Sequence, residues 1–439
     1  MTQSNTPPHD LLESLLRLAK TKGADQAEAS LSSGDSLSVS VRCGAVEDTV
    51  WSQNMAFGLR VLIGKKQAFV SSNHPAKDAL EALVDQAISM AKVVPEDPYI
   101  GLADPSQIAT SWKDIPHDPT TLTLPQLMAL ASEVEEAALG VPGVSSSEGA
   151  QASWSQSRTV RMATNGFLGA YSRSYFSIYG SVLAGSDAMM QRDDDYDSVC
   201  FFEDLKPASE IGRSAGERAV AALNPRSATP GKVPVVYENR LSGRLLNSLV
   251  GAISGAAIVQ KTSFLQDALQ TSVFSPAVTI IDDPFLPRGL GSRPFDAEGL
   301  PTCRTTLVDQ GVLQTWLLDL RASRALGLKP TGHGSGVSNL FMAPGTLSFE
   351  ELLAPISKGL FVTDLFGHSI NGLTGDYSMG ARGFWIENGQ IAYPVQGVTI
   401  AGNLKDMFKG LTPASDLPTL QGNTAPTVRM ASMTVAGNG

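Results

Sequence analysis

The sequence predicts an α+β protein: two domains of antiparallel sheets with segregated helices, and a C-terminal half that is mostly β. Three observations support this prediction. Residues 36–44 alternate apolar and polar side chains, which is typical of a half-buried strand. Asn388-Gly389 between apolar residues indicates a tight hairpin turn. Helical apolar spacing is concentrated in the first half, at residues 10–22, 76–92, 124–140 and 209–223.

The elements follow one another as helix, antiparallel strands and helix over the first ninety residues. The first helix, at residues 10–22, ends at Gly23, the residue type that most commonly stops helices. Two further strands, AFGLRVLIG and KQAFVSS, are joined by a Gly-Lys turn. Residues 143–204 predict several more strands, of which residues 169–185 are the plainest.

A proline- and glycine-rich stretch marks the predicted domain boundary. Three prolines and a glycine fall within residues 225–234. We therefore divide the chain into an N-terminal α+β domain, residues 1–224, and a C-terminal β-rich domain, residues 225–439. Beyond one helix around residues 245–252, the second domain is poor in helix. Two hairpins are predicted in it, with turns at Asp309–Gly311 and at Asn388-Gly389.

Bulk composition narrows the class of protein. The formal net charge of −10 argues against an extended nucleic-acid-binding surface, so we expect no direct nucleic-acid partner. Three widely separated cysteines, none in a Cys-x-x-Cys pair, are typical of free thiols in a reducing compartment. The first ten residues lack the basic and apolar regions of a signal peptide, and the longest apolar stretch is about half the length of a membrane span. We expect a cytoplasmic protein without a membrane partner.

The segment LLNSLVGA, residues 245–252, predicts a buried helix with an unexpected polar pair, Asn247 and Ser248, in its middle. Small residues form one stripe on a helical wheel: Ser248, Gly251, Ala252 and Gly255. Such a stripe most often belongs to a core helix that packs closely on a sheet. The alternative is a surface along which an extended peptide backbone approaches the helix.

An acidic segment, QRDDDYDS at residues 191–198, is dense enough in aspartate for a cation site. The glycine and the terminal glutamate of an EF-hand loop are absent from it. The composition therefore favours a solvated acidic turn or strand end.

The five histidines offer little for a metal site, since no two of them lie three to five residues apart. A histidine-plus-acid site across glycine-rich loops, formed by His368 with Asp376 or Asp364, stays open as an alternative. Histidines in such loops more often stabilise the loop by hydrogen bonding.

Four blocks of sequence resemble one known family. They are Gly375–Leu404, Val250–Leu265, Ile280–Thr302 and Ala188–Ser198. Through them the chain resembles the TldD/PmbA (TldE) family of bacterial metallopeptidases, also called modulators of DNA gyrase, and more closely its PmbA/TldE branch. The resemblance runs nearly end to end.

The resemblance implies that the polar pair is the remnant of a metal motif. The TldD branch carries a His-Glu-x-x-x-His motif on the matching helix and a cysteine in the C-terminal block, which bind zinc and supply the general base. Aligned with this chain, the motif positions are Asn247, Ser248 and Ala252, and the cysteine position is Ala381. Structural and catalytic zinc needs imidazole, thiolate or carboxylate ligands at about 2.0–2.3 Å. The resemblance thus implies no metal ligand and no catalytic residue in this chain.

The family is known for handling flexible peptides in a cleft between paired subunits. Candidates for lining such a cleft here are Gly251, Gly255, Gly375, Asp376 and Arg382. We expect residues 375–382 to form a loop at the position of the lost cysteine. Arg382 would contact a substrate carbonyl or carboxylate, or would serve as a structural ion-pair partner, and the sequence favours neither role.

The resemblance implies a cytoplasmic heterodimer. A TldD-like subunit would supply zinc and the general base, and this chain would close the chamber around unfolded peptides. Three alternatives remain open at this point: an enzyme in its own right with an unidentified metal site, a non-enzymatic regulator related to gyrase or toxin–antitoxin systems, and a homodimer with a structural or peptide-binding role.

Overall fold

A computed structural model describes residues 7–74, 76–186, 190–420 and 422–437, except for the side chains of Lys77 and His368. The first residues of the quoted block Ala188–Ser198 lie outside this range. The helices are α1 Pro8–Thr21, α2 Lys77–Val93, α3 Leu124–Leu139, α4 Ala208–Ala221, α5 Asn239–Ile253, α6 Gly255–Gln260, α7 Leu320–Leu326, α8 Phe349–Leu353 and α9 Leu404–Lys409.

The strands account for most of the regular structure. They are β1 Gln26–Arg42, β2 Ala45–Ile63, β3 Lys66–Ser72, β4 Val144–Ala163, β5 Leu168–Ala184, β6 Gln191–Val199, β7 Gly231–Tyr237, β8 Ile280–Asp282, β9 Thr305–Asp309, β10 Val312–Leu313, β11 Leu340–Met342, β12 Lys358–Ile370, β13 Asp376–Glu387, β14 Gln390–Asn403, β15 Leu411–Pro413 and β16 Val428–Gly437. The fold class is α+β with antiparallel sheets and sparse helices, which confirms the prediction.

The N-terminal half is one six-stranded antiparallel sheet in the order β3-β2-β1-β4-β5-β6. The odd-numbered residues of β1 lie on one face of this sheet and are buried at its two ends, from Ala27 to Leu31 and from Leu37 to Val41. At one end of that face α1 and α2 pack around Leu31, and at the other end α3 and α4 pack around Leu37. A strand of 17 residues is therefore covered by two separate helix pairs on the same side.

The C-terminal half contains a second six-stranded sheet, in the order β14-β13-β12-β7-β16-β15. An additional pairing between β14 and β16 closes five of these strands into a ring, so this sheet has the character of a small barrel. All its pairings are antiparallel except β12 with β7. Helix α5 packs on this barrel, since Leu245, Leu246 and Leu249 share one buried cluster with Trp385 and Val398.

Two predictions about local structure are wrong. Residues 376–382 belong to strand β13 and do not form a loop. The acidic segment was expected to be a solvated turn or strand end, but it forms most of strand β6, in which Asp193 and Asp197 are buried. Both predicted hairpin turns are confirmed, between β9 and β10 and between β13 and β14.

Ion pairs and aromatic contacts join the two halves. The guanidinium of Arg382 on β13 lies 3.1 Å from the carboxylate of Asp193 on β6. Arg218 on α4 pairs with Glu238, the residue before α5. The rings of Phe167 and Phe295 meet edge to face, with centroids 5.0 Å apart. The two ion pairs hold β6 and α4 of the first half beside β13 and the start of α5 in the second.

None of the helices in the described residues is both long and apolar enough to cross a membrane.

One carboxyl group near this junction carries a strongly shifted pKa. Glu298 is partly buried, and its burial raises the pKa of the carboxyl to about 7, an effect that the neighbouring Asp296 and Asp319 reinforce. The backbone amide of Leu320, which donates to Glu298 Oε2 over 2.8 Å, opposes the rise. The folded state therefore holds a proton on Glu298 at pH values where the unfolded chain has released it.

Replacing Glu298 with glutamine is expected to stabilise the protein at pH 8 by about 3 kcal/mol, because the carboxyl pKa rises from 4.5 to about 7 and each pKa unit corresponds to about 1.4 kcal/mol. The pKa of the folded state is above that of the unfolded state, so the charged carboxylate costs stability above pH 7, and this cost disappears as the pH falls towards the unfolded value. Urea unfolding at pH 8 and at pH 4.5 measures the difference. The exposed Glu217→Gln variant is the control, and an equal effect of Glu298→Gln at both pH values would contradict the assignment.

Candidate functional site

Helix α5 is amphipathic and positions the polar pair. Its buried side carries Leu241, Leu245, Leu246, Leu249 and Ile253. The helix ends because Ser254 is extended, with ψ of 138°, and the Ser254 hydroxyl accepts a hydrogen bond from the amide of Ala257 at the start of α6. The predicted stripe of small residues is therefore interrupted at Ser254, and Gly255 belongs to the next helix.

A cavity of about 440 Å³ lies between α5, β12 and β13, and we call it the α5 cavity. Apolar side chains form most of its wall, and the polar groups come mainly from α5. The lining residues are Arg244, Leu245, Asn247, Ser248, Gly251, Ala252, Thr262, Phe264, Leu365, Ile370, Gly372, Tyr377 and Met379. A concave apolar site with a few polar groups is typical of ligand binding.

Three of the four positions that the family resemblance assigns to the metal motif line this cavity. Asn247 Oδ1 accepts a hydrogen bond from the side-chain amide of Asn423, and the Ser248 hydroxyl donates to the carbonyl of Arg244 over 3.3 Å. Ala252 contributes a methyl group to the wall. The fourth position, Ala381, is fully buried on β13. It lies on the strand face that also carries two lining residues, Tyr377 and Met379.

The glycine candidates have different surroundings. Gly251 lines the cavity, and a Cβ atom there would meet nothing within 4 Å. Gly255 instead packs on α7, where a Cβ would lie 2.5 Å from that of Ala322. Gly375, with φ of +85°, lies in the turn before β13, next to Phe264. Of these three glycines, only Gly251 lines the cavity.

Asp376 lies outside the cavity wall, on the surface. Its carboxylate accepts hydrogen bonds from the Thr374 hydroxyl and the Asn403 amide, and these bonds lower the pKa of the carboxyl. In the alternative histidine site, the side chain of His368 lies outside the described residues. Its other acid, Asp364, is bonded to Arg382.

The two glycines of α5 and α6 lead to opposite expectations. Gly251→Ala should stabilise the protein by up to about 1 kcal/mol, because alanine is the better helix former and the space is open. Gly255→Ala should destabilise it by about 1–3 kcal/mol through overpacking against α7. Urea unfolding of both variants is the measurement, and each is the control of the other. Equal effects would show that the two sites do not differ in packing.

Arg382 lines a second pocket of about 590 Å³, which we call the arginine pocket. Its charged lining consists of Arg192, Asp193, Asp194, Arg240, Arg244, Asp364 and Arg382. The Arg382 guanidinium lies 3.1 Å from both Asp193 and Asp364 and also donates to the carbonyl of Arg192. Burial raises the pKa of Asp194 in the same pocket. Arg382 is thus an ion-pair partner between the halves, on the face of β13 opposite to Ala381.

Arg244 belongs to both pockets and was not predicted as a site residue. It precedes Asn247 and Ser248 by three and four positions, so it lies on the same side of α5. That spacing was the only signal for it in the sequence.

The side chains of the α5 cavity do not fit a zinc ion. The wall carries an amide, hydroxyl groups and a thioether, and no described lining residue is histidine, cysteine, aspartate or glutamate. Asn247 Oδ1 is already engaged with Asn423. Across the described residues, no group of three or more such side chains is arranged to hold a metal.

Three sequence models of one family match the chain in order. They are described as PmbA/TldA metallopeptidase domain 1 at residues 27–91, the central domain at residues 117–223 and the C-terminal domain at residues 230–437. The fold and these three matches together thus define a metallopeptidase-family protein.

Relatives over the full length support the same conclusion. The chain is 34% identical to a protein of Escherichia coli O157:H7 named Metalloprotease PmbA, over 98% of this chain and 96% of that one. It is 32% identical to a PmbA homologue of Haemophilus influenzae, over 95% and 94% of the two chains. The chain belongs to the PmbA/TldD metallopeptidase family, with its likeness in the PmbA branch.

Solved structures share the fold. A protein of Bacteroides thetaiotaomicron, described as a candidate modulator of DNA gyrase, superposes with a TM-score of 0.92 at 28% identity, covering 98% of this chain and 99% of that one. TldE from Thermococcus kodakarensis superposes with a TM-score of 0.85 at 20% identity, covering 97% and 100%.

Proposed function

We propose that this chain is the PmbA/TldE-type subunit of a cytoplasmic TldD–TldE-like metallopeptidase that cuts unfolded or flexible peptides. A TldD-like partner would hold the zinc ion and the general base, and this chain would be non-catalytic alone. One observation carries the proposal: the motif positions Asn247, Ser248 and Ala252 still line an open cavity, but with side chains that are poor zinc ligands.

The zinc ion of the partner would activate water and polarise the scissile carbonyl. The residues of this chain would bind the peptide and exclude water around it. The α5 cavity suits that role, because its apolar wall accepts a side chain while Ser248 and Asn247 present polar groups beside it. Holding a flexible peptide in an extended conformation lowers the entropic cost of the reaction catalysed by the partner.

We also propose the division into domains at residues 224 and 225. Support comes from the segment between α4, which ends at Ala221, and β7, which begins at Gly231. The family models for the central and C-terminal domains also stop and start on either side of it, at residues 223 and 230.

The decisive experiment captures the tagged full-length chain from an extract of its source organism and identifies what is bound. We expect a TldD-like chain in the complex, and peptidase activity on unfolded casein that a zinc chelator abolishes. The separately purified chain should be inactive, and zinc analysis should locate the metal in the partner. Chelator-sensitive activity in the lone chain, with stoichiometric zinc, would overturn the proposal. Size measurement distinguishes a homodimer from the heterodimer.

A further inference from the structure

The α5 cavity and the arginine pocket adjoin at a single shared residue, Arg244. Strand β12 forms a wall of both, since Leu365 lines the cavity while its neighbours Asp364 and Phe366 line the pocket. An apolar compartment and a charged compartment therefore meet at the guanidinium of Arg244.

Arg244 differs from the other arginines of the pocket. Arg382 is bonded to Asp193 and Asp364, Arg192 pairs with Glu148, and Arg240 lies 3.9 Å from Asp194. Arg244 donates one hydrogen bond, over 2.9 Å, to the carbonyl of Leu365. Among the described residues, no carboxylate lies within ion-pair distance of it. Every other charged residue of the pocket has an oppositely charged group within 4 Å.

The groups behind Arg244 do not compensate its charge. Tyr237 and Tyr377 are buried, and their hydroxyl groups lie 2.7 Å apart. Burial raises the pKa of both phenols, so both are neutral at pH 7. A cation at the mouth of an apolar cavity, with neutral groups behind it and spare planar donors, is suited to a carboxylate.

We propose that Arg244 binds a carboxylate of the peptide substrate while the adjacent apolar side chain of that peptide occupies the α5 cavity. This inference rests on the proposed function. The carboxylate is either the C-terminus or an aspartate or glutamate side chain. The size of the cavity, about 440 Å³, admits a leucine- or phenylalanine-sized group. Arg244 is a binding and positioning residue and takes no part in bond cleavage.

Fluorescence anisotropy with the full-length chain, alone and in complex with its captured partner, tests this inference. Three labelled peptides separate the two sources of carboxylate: Gly-Ser-Gly-Ala-Leu with a free C-terminus, the same peptide amidated, and amidated Gly-Ser-Gly-Leu-Glu-Gly. We expect the peptide with the preferred carboxylate to bind at least about tenfold more tightly than the amidated Gly-Ser-Gly-Ala-Leu.

Variants test whether Arg244 causes the carboxylate preference and whether the α5 cavity binds the leucine side chain. Arg244→Gln should remove the carboxylate preference, and Arg244→Lys should restore part of it. The exposed Arg213→Gln variant on α4 is the matched control and should behave as the wild type. Gly251→Leu places a side chain in the cavity and should weaken the binding of every leucine peptide.

Different experimental outcomes would overturn this inference and the proposed function. A carboxylate preference that survives in Arg244→Gln, or the absence of any preference in the wild type alone and in complex, overturns the role of Arg244 even when a catalytic partner is captured. Failure to capture a TldD-like chain overturns the proposed function, even when the preference is present. Arg244→Gln should still capture the partner, which excludes loss of folding as the cause of weaker binding.

Discussion

Replacing Arg382 with methionine is expected to lower the free energy of unfolding by about 2–4 kcal/mol. The substitution keeps the apolar stem of the side chain but leaves the buried carboxylate of Asp193 without its closest cation. Breaking a buried ion pair by removing one partner is costly because the other charge stays desolvated. Arg218, 3.5 Å from Asp193, compensates only in part. Urea unfolding followed by circular dichroism is the measurement.

Two comparisons make the Arg382 result specific. Arg192→Met removes an arginine from the same pocket, but its ion pair with Glu148 is exposed, so we expect a loss below about 1 kcal/mol. Adding Asp193→Asn to Arg382→Met should recover part of the lost stability. If Arg382→Met unfolds like the wild type but binds peptides poorly, Arg382 is a substrate contact and not a structural ion-pair partner.

Local sequence patterns predicted secondary structure correctly where the structure depends on a single strand or turn. The alternation predicted from residue 36 onwards corresponds to the burial of Leu37, Val39 and Val41 in β1. At the β13–β14 hairpin, Asn388 and Gly389 both have positive φ, as a type I′ turn requires. Such features depend on neighbouring residues, so a single sequence contains the information needed to predict them.

The prediction of a loop at residues 375–382 failed because this segment, although rich in glycine, pairs as a strand, and the same holds for Gly383 just after it. In β13 the glycines provide space. A Cβ at Gly380 would lie 2.2 Å from the ring of Phe366, and one at Gly383 would lie 1.9 Å from the carbonyl of Phe361. Glycine is needed there because β12 packs so closely. The need arises from tertiary contacts that no local pattern reveals.

The acidic segment was mispredicted for a related reason. A run of aspartates is usually solvated, but Asp193 is compensated by Arg382, which is 189 residues away in the sequence. Asp197 accepts a hydrogen bond from the backbone amide of Lys206. Similarly, the stripe that included Gly255 assumed one continuous helix, whereas Ser254 ends α5 and starts α6. Long-range partners and helix breaks decide which candidates reach the site.

Restoring the metal motif should convert the α5 cavity into a zinc site. The variant carries Asn247→His, Ser248→Glu, Ala252→His and Ala381→Cys, and we expect it to bind one zinc ion where the wild type binds none. The first three positions line one cavity, and Ala381 shares its strand face with Tyr377 and Met379. Replacing Asn247 also removes its hydrogen bond with Asn423, so this contact does not compete with zinc for the side chain at position 247. Zinc at a hundredfold excess over Kd should stabilise the variant by about 2.7 kcal/mol.

Zinc content after dialysis and thermal unfolding with and without zinc measure this change. The matched control is the triple variant that keeps Ala381: it retains the two histidines but lacks the thiolate, so it should bind zinc more weakly and gain less stability. Both variants are first checked for native circular dichroism, since histidine at position 252 enlarges a mostly buried side chain. A quadruple variant that folds but takes up no zinc would show that these four positions do not correspond to the metal motif, and the assignment of this chain as the subunit that lost it would fall with them.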